Sequence, residues 1–317
     1  MKRRRFGNTG LEVSEFGLGC ARIGGMFQQD PGAFVRLLER AHDAGITFFD
    51  TADMYSQGES ESLIGKALAR RRDRIVIATK AGYALPARRK LLARVKPLLR
   101  PIIKRLGLRR DKLSAAVRGS VAQDFSPAYL ENALHGSLRR LRTDYVDLLQ
   151  LHSPPRDVIE RGEWLPALER LKRSGKVRHF GIAVDSVDAG LAALEYPGVT
   201  SLQYQLSLLN QDATAELLPR VRARGVAFIA RECLANGLLV KRADEIDLAK
   251  FYDTETERAA RAERLEALRN EANAAQVSLA RHALSYVNGV DGVSVSLIGA
   301  RSVEQLEGLL RELPRSS

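Results

Sequence analysis

Residues 48–55 read Phe-Phe-Asp-Thr-Ala-Asp-Met-Tyr. An apolar run of β-formers, Ile46, Phe48 and Phe49, ends in the polar group Asp50-Thr51-Ala52-Asp53, and Tyr55 follows five positions after Asp50. A strand that turns polar at its C-terminal end delivers ionisable groups to the mouth of a sheet. Two later runs end the same way: Ile75–Thr79 leads into Lys80, and Tyr145–Leu151 leads into His152. In a barrel of parallel strands wrapped by helices, that edge is where active sites lie. An Asp, a Tyr, a Lys and a His at such ends form the candidate catalytic constellation.

The rest of the chain alternates around this stretch. Asn8-Thr9-Gly10 between apolar alternations predicts an N-terminal β-hairpin within residues 4–19. Buried strands are expected over 16–20, 46–52, 74–81, 145–152, 177–184, 201–207, 226–232 and 293–299. Helical spacing predicts helices over 31–44, where Gly45 supplies the cap, and over 60–72, 126–142, 164–174, 186–195, 214–224 and 303–313, with a broken one over 255–287. Eight strands alternating with helices predict an α/β protein, a (β/α)8 TIM barrel with an N-terminal β-hairpin, and no linker divides residues 1–317 into more than one domain. Gly17-Leu18-Gly19 is no dinucleotide fingerprint, because Arg22 stands where the third glycine belongs.

Of 317 residues, 45% are hydrophobic and 28% charged, which suits a large buried core. There is no apolar run of about 18 residues to cross a membrane. The basic start Met1-Lys2-Arg3-Arg4-Arg5 lacks the apolar stretch of a signal peptide. Two isolated cysteines, Cys20 and Cys233, make neither a disulfide framework nor a metal pattern. A cytoplasmic protein is expected. The net charge of +12 is concentrated: residues 84–113 hold eleven Lys and Arg and one acid, Asp111, so that this stretch carries +10 and the remainder +2.

Residues 84–113 read as a basic amphipathic insertion after the third barrel strand. Leu91, Leu92, Val95, Leu98, Leu99, Ile102, Ile103 and Leu106 recur at three- and four-residue spacing, interrupted by Pro97 and Pro101. Placed after Lys80, the segment is expected at the active-site mouth. It would serve as a lid, or as a dock for an anionic carrier, such as a phosphopantetheine-bearing protein, or for an acidic membrane face. Nucleic acid is disfavoured, since the stretch has no aromatics for stacking.

The chemistry follows from the residue types. A tyrosine hydroxyl with a pKa near ~10 is a weak acid at neutral pH. A nearby ammonium lowers that value, and a carboxylate holds the ammonium charged and in place. Tyr55, Lys80 and Asp50 supply the three parts, and His152 can hydrogen-bond a carbonyl oxygen. Such a group delivers a proton as a carbonyl becomes an alkoxide, while hydride has to come from a cofactor. His42, His135, His179 and His282 have no partners at ligand spacing, and Cys233 reads as packing. Asp185 stands just beyond a strand end, where it can line the site.

Several longer motifs share the same order as those of a known family. They are Gly-Leu-Glu-Val-Ser at 10–14, the stretch at 48–55, Gly-Glu-Ser-Glu at 58–61, Ala-Thr-Lys at 78–80, Asp-Leu-Leu-Gln-Leu-His at 147–152, Gly-Lys-Val-Arg at 175–178 and Ile-Gly-Ala-Arg at 298–301. With them the chain resembles the aldo-keto reductases from end to end. The resemblance implies an NAD(P)H-dependent oxidoreductase interconverting a carbonyl and an alcohol, with the tetrad Asp50, Tyr55, Lys80 and His152 and with Tyr55 as proton donor. It also implies an extended nicotinamide cofactor held by Gln203, Arg231, Gly299, Arg301 and Gln305, with Arg301 favouring NADP over NAD.

The departures from the family pattern are as informative. Ala183-Val184 stand where Ser-Asn usually clamps the nicotinamide carboxamide. Arg231, followed by Glu232, replaces a stacking tyrosine and can pair with Glu232 or meet the cofactor. Gly308-Leu309 replace the Glu-Asn pair that commonly contacts adenine. Two alternatives remain: a cofactor-retaining non-redox enzyme of elimination or epimerisation, and an NADP-sensing binding module.

Overall fold

The computed structural model describes residues 1–24, 30–84 and 122–314. The basic insertion therefore lies, apart from Ala84, outside the described residues, and with it the expectations of a lid or a docking surface. Strands β1 (Arg3–Arg5) and β2 (Glu12–Ser14) form the expected hairpin, antiparallel with Arg4 opposite Val13. Eight parallel strands close the barrel: β3 (Phe16–Gly19), β4 (Phe48–Asp50), β5 (Val76–Ala81), β8 (Val146–His152), β9 (Val177–Ala183), β10 (Val199–Gln205), β11 (Ala227–Arg231) and β12 (Val293–Ile298). Between β5 and β8, a two-stranded ribbon pairs β6 (Tyr83–Ala84) with β7 (Ala122–Gln123). The fold is the (β/α)8 barrel that the alternation predicts.

Two hydrophobic clusters build the barrel, beside a third around Leu208, Leu238, Leu265 and Leu268. Phe16, Leu18, Phe49, Ile77, Leu149, Phe180 and Leu202 belong to the larger one, packed with the helices outside the barrel. Phe48, Val76, Ala78, Leu148, Ala227, Ile229 and Val295 form the smaller one. Phe6, from the hairpin loop, is fully buried in that second cluster, its ring 5.5 Å from that of Phe48. The loop can approach this closely because residue 7 is glycine: φ is +53°, and a Cβ there would lie 2.6 Å from the Gly225 carbonyl. The hairpin thus plugs one end of the barrel and leaves the other for chemistry.

Some boundaries differ from expectation, each for a local reason. The strand expected over 201–207 runs from Val199 to Gln205, because Ser207 leaves the ladder for a turn in which its N–H and carbonyl both bond Asn210. The helix expected over 60–72 ends at Leu68 and tightens into a 3-10 segment, Ala69–Arg74. The helix expected over 214–224 is a 3-10 turn, Asp212–Thr214, followed by Leu217–Ala223. The long segment over 255–287 does break, into Glu255–Ala274 and Leu279–Gly289, with Gln276 at φ +53° and Ser278 capping the second helix. A short helix, Arg156–Arg161, follows Pro154-Pro155 and had no apolar periodicity to announce it.

Candidate active site

The ends of β4, β5 and β8 bring Asp50, Lys80 and His152 to one mouth. Tyr55 enters it at the head of a 3-10 turn, Tyr55–Gly58. All four predicted catalytic residues therefore meet. Lys80, 1% exposed, donates from Nζ to Asp50 Oδ2 at 2.7 Å, to the Thr51 carbonyl at 3.0 Å and to the Tyr55 hydroxyl at 3.4 Å. A buried ammonium is tolerable only when paired and hydrogen-bonded. Burial pulls the Lys80 pKa down, but Asp50 and Tyr55 together outweigh it and leave it above the ordinary value. Lys80 is charged at neutral pH.

Tyr55 departs from the expectation that Lys80 lowers its pKa. Burial raises it, Lys80 and Arg231 oppose the rise, Asp50 adds to it, and the net direction is upward. In this resting geometry the hydroxyl keeps its proton. His152 is pushed well below its usual pKa by burial and by the charges of Lys80 and Arg231, so its imidazole is neutral. Its ring meets Tyr55 edge-on at 5.6 Å and Tyr83 at 4.8 Å, and its Nδ1 is buried without a partner among the described residues.

The predicted cofactor residues fall into two groups. At the nicotinamide side, Ala183 and Val184 are buried and apolar, as read. Gln203 is spent differently from expectation: its Nε2 donates to Asp50 Oδ1 at 2.8 Å, joined by Gln150 Nε2 at 3.4 Å. Asp50 thus receives Lys80 on one oxygen and two glutamine amides on the other. The pattern Gln-Leu-His at 150–152 carried that signal, since Gln150 lies two residues before His152 and so shares its face of the strand.

Arg231 ends β11 and pairs with Glu232, its Nη1 to Oε1 distance being 2.9 Å. It also bonds Asp185 Oδ1 at 2.6 Å and the Val184 carbonyl at 3.2 Å, while its Nε is buried without a partner among the described residues. At the other side, Gly19 and Gly299 stand at the ends of the neighbouring strands β3 and β12. A Cβ on Gly299 would meet only the Gly19 carbonyl, at 3.8 Å, so two missing side chains leave an open backbone cradle. Beyond it, Ser302 caps the helix Val303–Glu312, and Arg301 N–H donates to Gln305 Oε1 at 2.9 Å. A glycine cradle leading to an arginine and a helix N-terminus fits the phosphates of a dinucleotide. Leu309 is buried in the outer core.

Sequence reasoning missed two residues of the mouth. Gln123, from β7, donates to the Ser153 carbonyl at 2.8 Å and so ties the ribbon to the backbone beside His152. Ser153 holds φ at +54°, a conformation non-glycine residues avoid and active sites collect. With Tyr83, Pro155, Arg156 and Asp185 they line a cavity of about 500 Å³. Asp53 is a third feature, beside Tyr55 and its partners. Its Oδ1 is buried and unpartnered among the described residues, and its Oδ2 accepts a long 3.4 Å bond from the Tyr129 hydroxyl. Burial, with Glu61 adding to it, raises this carboxyl to about 7 against the opposition of Arg140.

Other sequence candidates are elsewhere. His135 Nε2 lies 2.8 Å from Lys176 Nζ, and His282 faces Glu271 at 3.5 Å. Burial pushes the Cys233 thiol up to about 12, which leaves it inert as a nucleophile. Among the described residues no cluster of three or more His, Cys, Asp or Glu could hold a metal, and no helix is long and apolar enough to cross a membrane.

The sequence model of the aldo/keto reductase family matches residues 15–314. The chain belongs to the aldo/keto reductase family. This aldo/keto reductase is 30% identical over 312 residues to the uncharacterized oxidoreductase YqkF of Bacillus subtilis, covering 96% of this chain and 89% of that protein. It is 29% identical over 323 residues to pyridoxal 4-dehydrogenase of Microbacterium luteolum, covering 96% and 91%. Among solved structures it superposes on the holo form of aldo-keto reductase AKR11C1 of Bacillus halodurans with a TM-score of 0.78 at 28% identity, over 100% of this chain and 92% of that one. The glycerol dehydrogenase AKR11B4 of Gluconobacter oxydans gives a TM-score of 0.76 at 26% identity, covering 99% and 91%. The protein is an oxidoreductase that works with a nicotinamide cofactor.

Proposed function

We propose that the protein reduces an aldehyde or ketone to an alcohol, or runs the reverse reaction, with Tyr55 as general acid and NADP(H) as the preferred dinucleotide. The observation that carries this reading is the chain of contacts from Asp50 through buried Lys80 to the Tyr55 hydroxyl, at 2.7 and 3.4 Å. When bound, the nicotinamide supplies the hydride. Everything else is done by this chain. Tyr55 gives its proton to the carbonyl oxygen as negative charge grows there. Lys80 then faces a phenolate, which its ammonium stabilises, and Asp50 keeps Lys80 in place. Neutral His152 can donate a second hydrogen bond to the same oxygen, from the ring edge facing the mouth, without carrying charge. The residues that would hold the cofactor are Arg231 and the amide oxygen of Gln203, whose Nε2 is taken by Asp50, at the reacting end, and Gly299, Arg301 and Gln305 at the phosphate end. Arg301 beside a helix N-terminus supports the NADP preference, since a guanidinium matches a phosphate in a planar, bidentate way.

The test is oxidation of NADPH and of NADH by purified protein with a panel of aldehydes, in wild type and in Tyr55→Phe. The expected result is turnover faster with NADPH, with kcat reduced by ~10²–10⁴-fold in the variant. Turnover that survives Tyr55→Phe would overturn the general-acid assignment. Tight dinucleotide binding without turnover would favour the non-redox or sensing alternatives.

A further inference from the structure

Arg231 is held by oxygens from three places, and two of them are charged. Asp185 Oδ1 lies 2.6 Å from Nη2 and Glu232 Oε1 2.9 Å from Nη1, while the Val184 carbonyl takes a further bond at 3.2 Å. Asp185 follows β9 and Arg231 ends β11, so the guanidinium reaches across the end of β10, the strand that pairs with both. Glu232 sits at φ +58° and is fixed there by Asn236, whose Nδ2 donates to Oε2 at 2.8 Å. A non-glycine residue in that conformation costs of order 1 kcal/mol and persists only where its surroundings hold it. One cation is thus flanked by two carboxylates, and the trio carries a net charge of −1.

The charge of Arg231 is felt at both Tyr55 and His152. A ring close enough to pass hydride to a carbonyl carbon whose oxygen touches Tyr55 lies within reach of the same field. The oxidised nicotinamide ring bears a positive charge, and the reduced ring bears none. Arg231 alone would repel the oxidised form selectively.

We infer that Asp185 and Glu232 set the relative affinity of this site for oxidised and reduced nicotinamide dinucleotide, by offsetting the positive charge of Arg231, with which both pair. Asp185 is a specificity-determining residue in this sense: it acts on the charge state of the cofactor through Arg231 and takes no part in proton transfer. This inference rests on the reductase reading above. Its consequence is an enzyme that tolerates the oxidised cofactor well, which favours running in the alcohol-oxidising direction when alcohol is abundant.

The experiment is isothermal titration of wild type, Asp185→Asn, Glu232→Gln and Arg231→Gln with NADP⁺ and with NADPH, at low and high salt. Asp185 is 62% exposed in its side chain, so its replacement buries no unpaired charge. Asp185→Asn is expected to raise the ratio of the NADP⁺ to the NADPH dissociation constant by about tenfold, equivalent to about 1.4 kcal/mol. Glu232→Gln should move the ratio the same way, and Arg231→Gln should move it the opposite way, with all three effects shrinking in salt. Damage to packing would shift both constants together. A ratio unchanged in the acid variants, or moved in the same sense by Arg231→Gln, overturns the inference. Failure of wild type to bind either form would instead overturn the reductase reading itself.

Discussion

At the scale of single residues, burial outweighs neighbouring charge at Tyr55 and Asp53, whereas at Lys80 the charges of Asp50 and Tyr55 outweigh burial. Tyr55 is the clearest case: the adjacent ammonium is present as the sequence predicts, yet the hydroxyl's pKa rises because burial outweighs it. His152 is neutral because burial and the charges of Lys80 and Arg231 all push its pKa down, and a pH–rate profile between about pH 6 and 8 should show no limb assignable to it. Asp53 provides a sharper test. Its folded pKa of about 7 stands well above the ordinary carboxylate value. A carboxyl raised in this way contributes stability that is fully present below its unfolded pKa and is lost as pH rises through 7. Asp53→Asn has no such loss. Thermal melts of the two proteins should diverge between about pH 4 and pH 7, with the variant gaining on wild type as pH rises, and run parallel above that. Curves that stay parallel would show that Asp53 is ionised throughout. That Asp50, Tyr55, Lys80 and His152 meet at one mouth was legible in the sequence, but their protonation states depended on enclosure, which no single residue reveals.

At the scale of elements, the strand ends depend on bracing beneath them. Asp147, in β8 and nearly fully buried, accepts from the Ile77 N–H of β5 at 2.9 Å and pairs with Arg178 of β9 at 3.0 Å. It also pairs with Arg72, at 2.7 Å, from the 3-10 segment that follows the helix Glu59–Leu68. One carboxylate therefore fixes the register of three neighbouring strands, on which the placing of Lys80 and His152 depends. Asp147→Ala leaves the Ile77 N–H and largely buried Arg72 without it, and should cost about 3 kcal/mol, read as a lower urea midpoint with unchanged slope. A loss within experimental error would mean that the ladder sets the register alone. The spacing Asp-Leu-Leu-Gln-Leu-His was readable as a strand. That Asp147 faces away from the mouth and Gln150 toward Asp50 was open to inference from alternation, whereas the partners came from distant segments and were not.

At the scale of the whole molecule, the barrel is closed at one end and chemically equipped at the other. Phe6 fills the closed end, fully buried among residues of the strands it does not belong to. Phe6→Ala opens a cavity there and should destabilise the protein by about 3–5 kcal/mol, while kcat measured well below the melting temperature stays near wild type. A large fall in kcat without loss of stability would mean that the two ends are coupled. The hairpin was predicted from Asn8-Thr9-Gly10, but its use as a plug was not. That role depends on Gly7 approaching the chain near Gly225, more than two hundred positions away.

The sequence by itself determined the alternation of strands and helices, and with it the barrel. It also determined which side chains stand at strand ends, because side-chain period and strand polarity are local properties. Tertiary structure alone decided what those side chains do to one another. Gln203 turns to Asp50, Arg231 is caught between Asp185 and Glu232, and one carboxyl oxygen of Asp53 is enclosed. These outcomes follow from barrel closure, which sets residues from separate strands within hydrogen-bonding distance and takes water away from them.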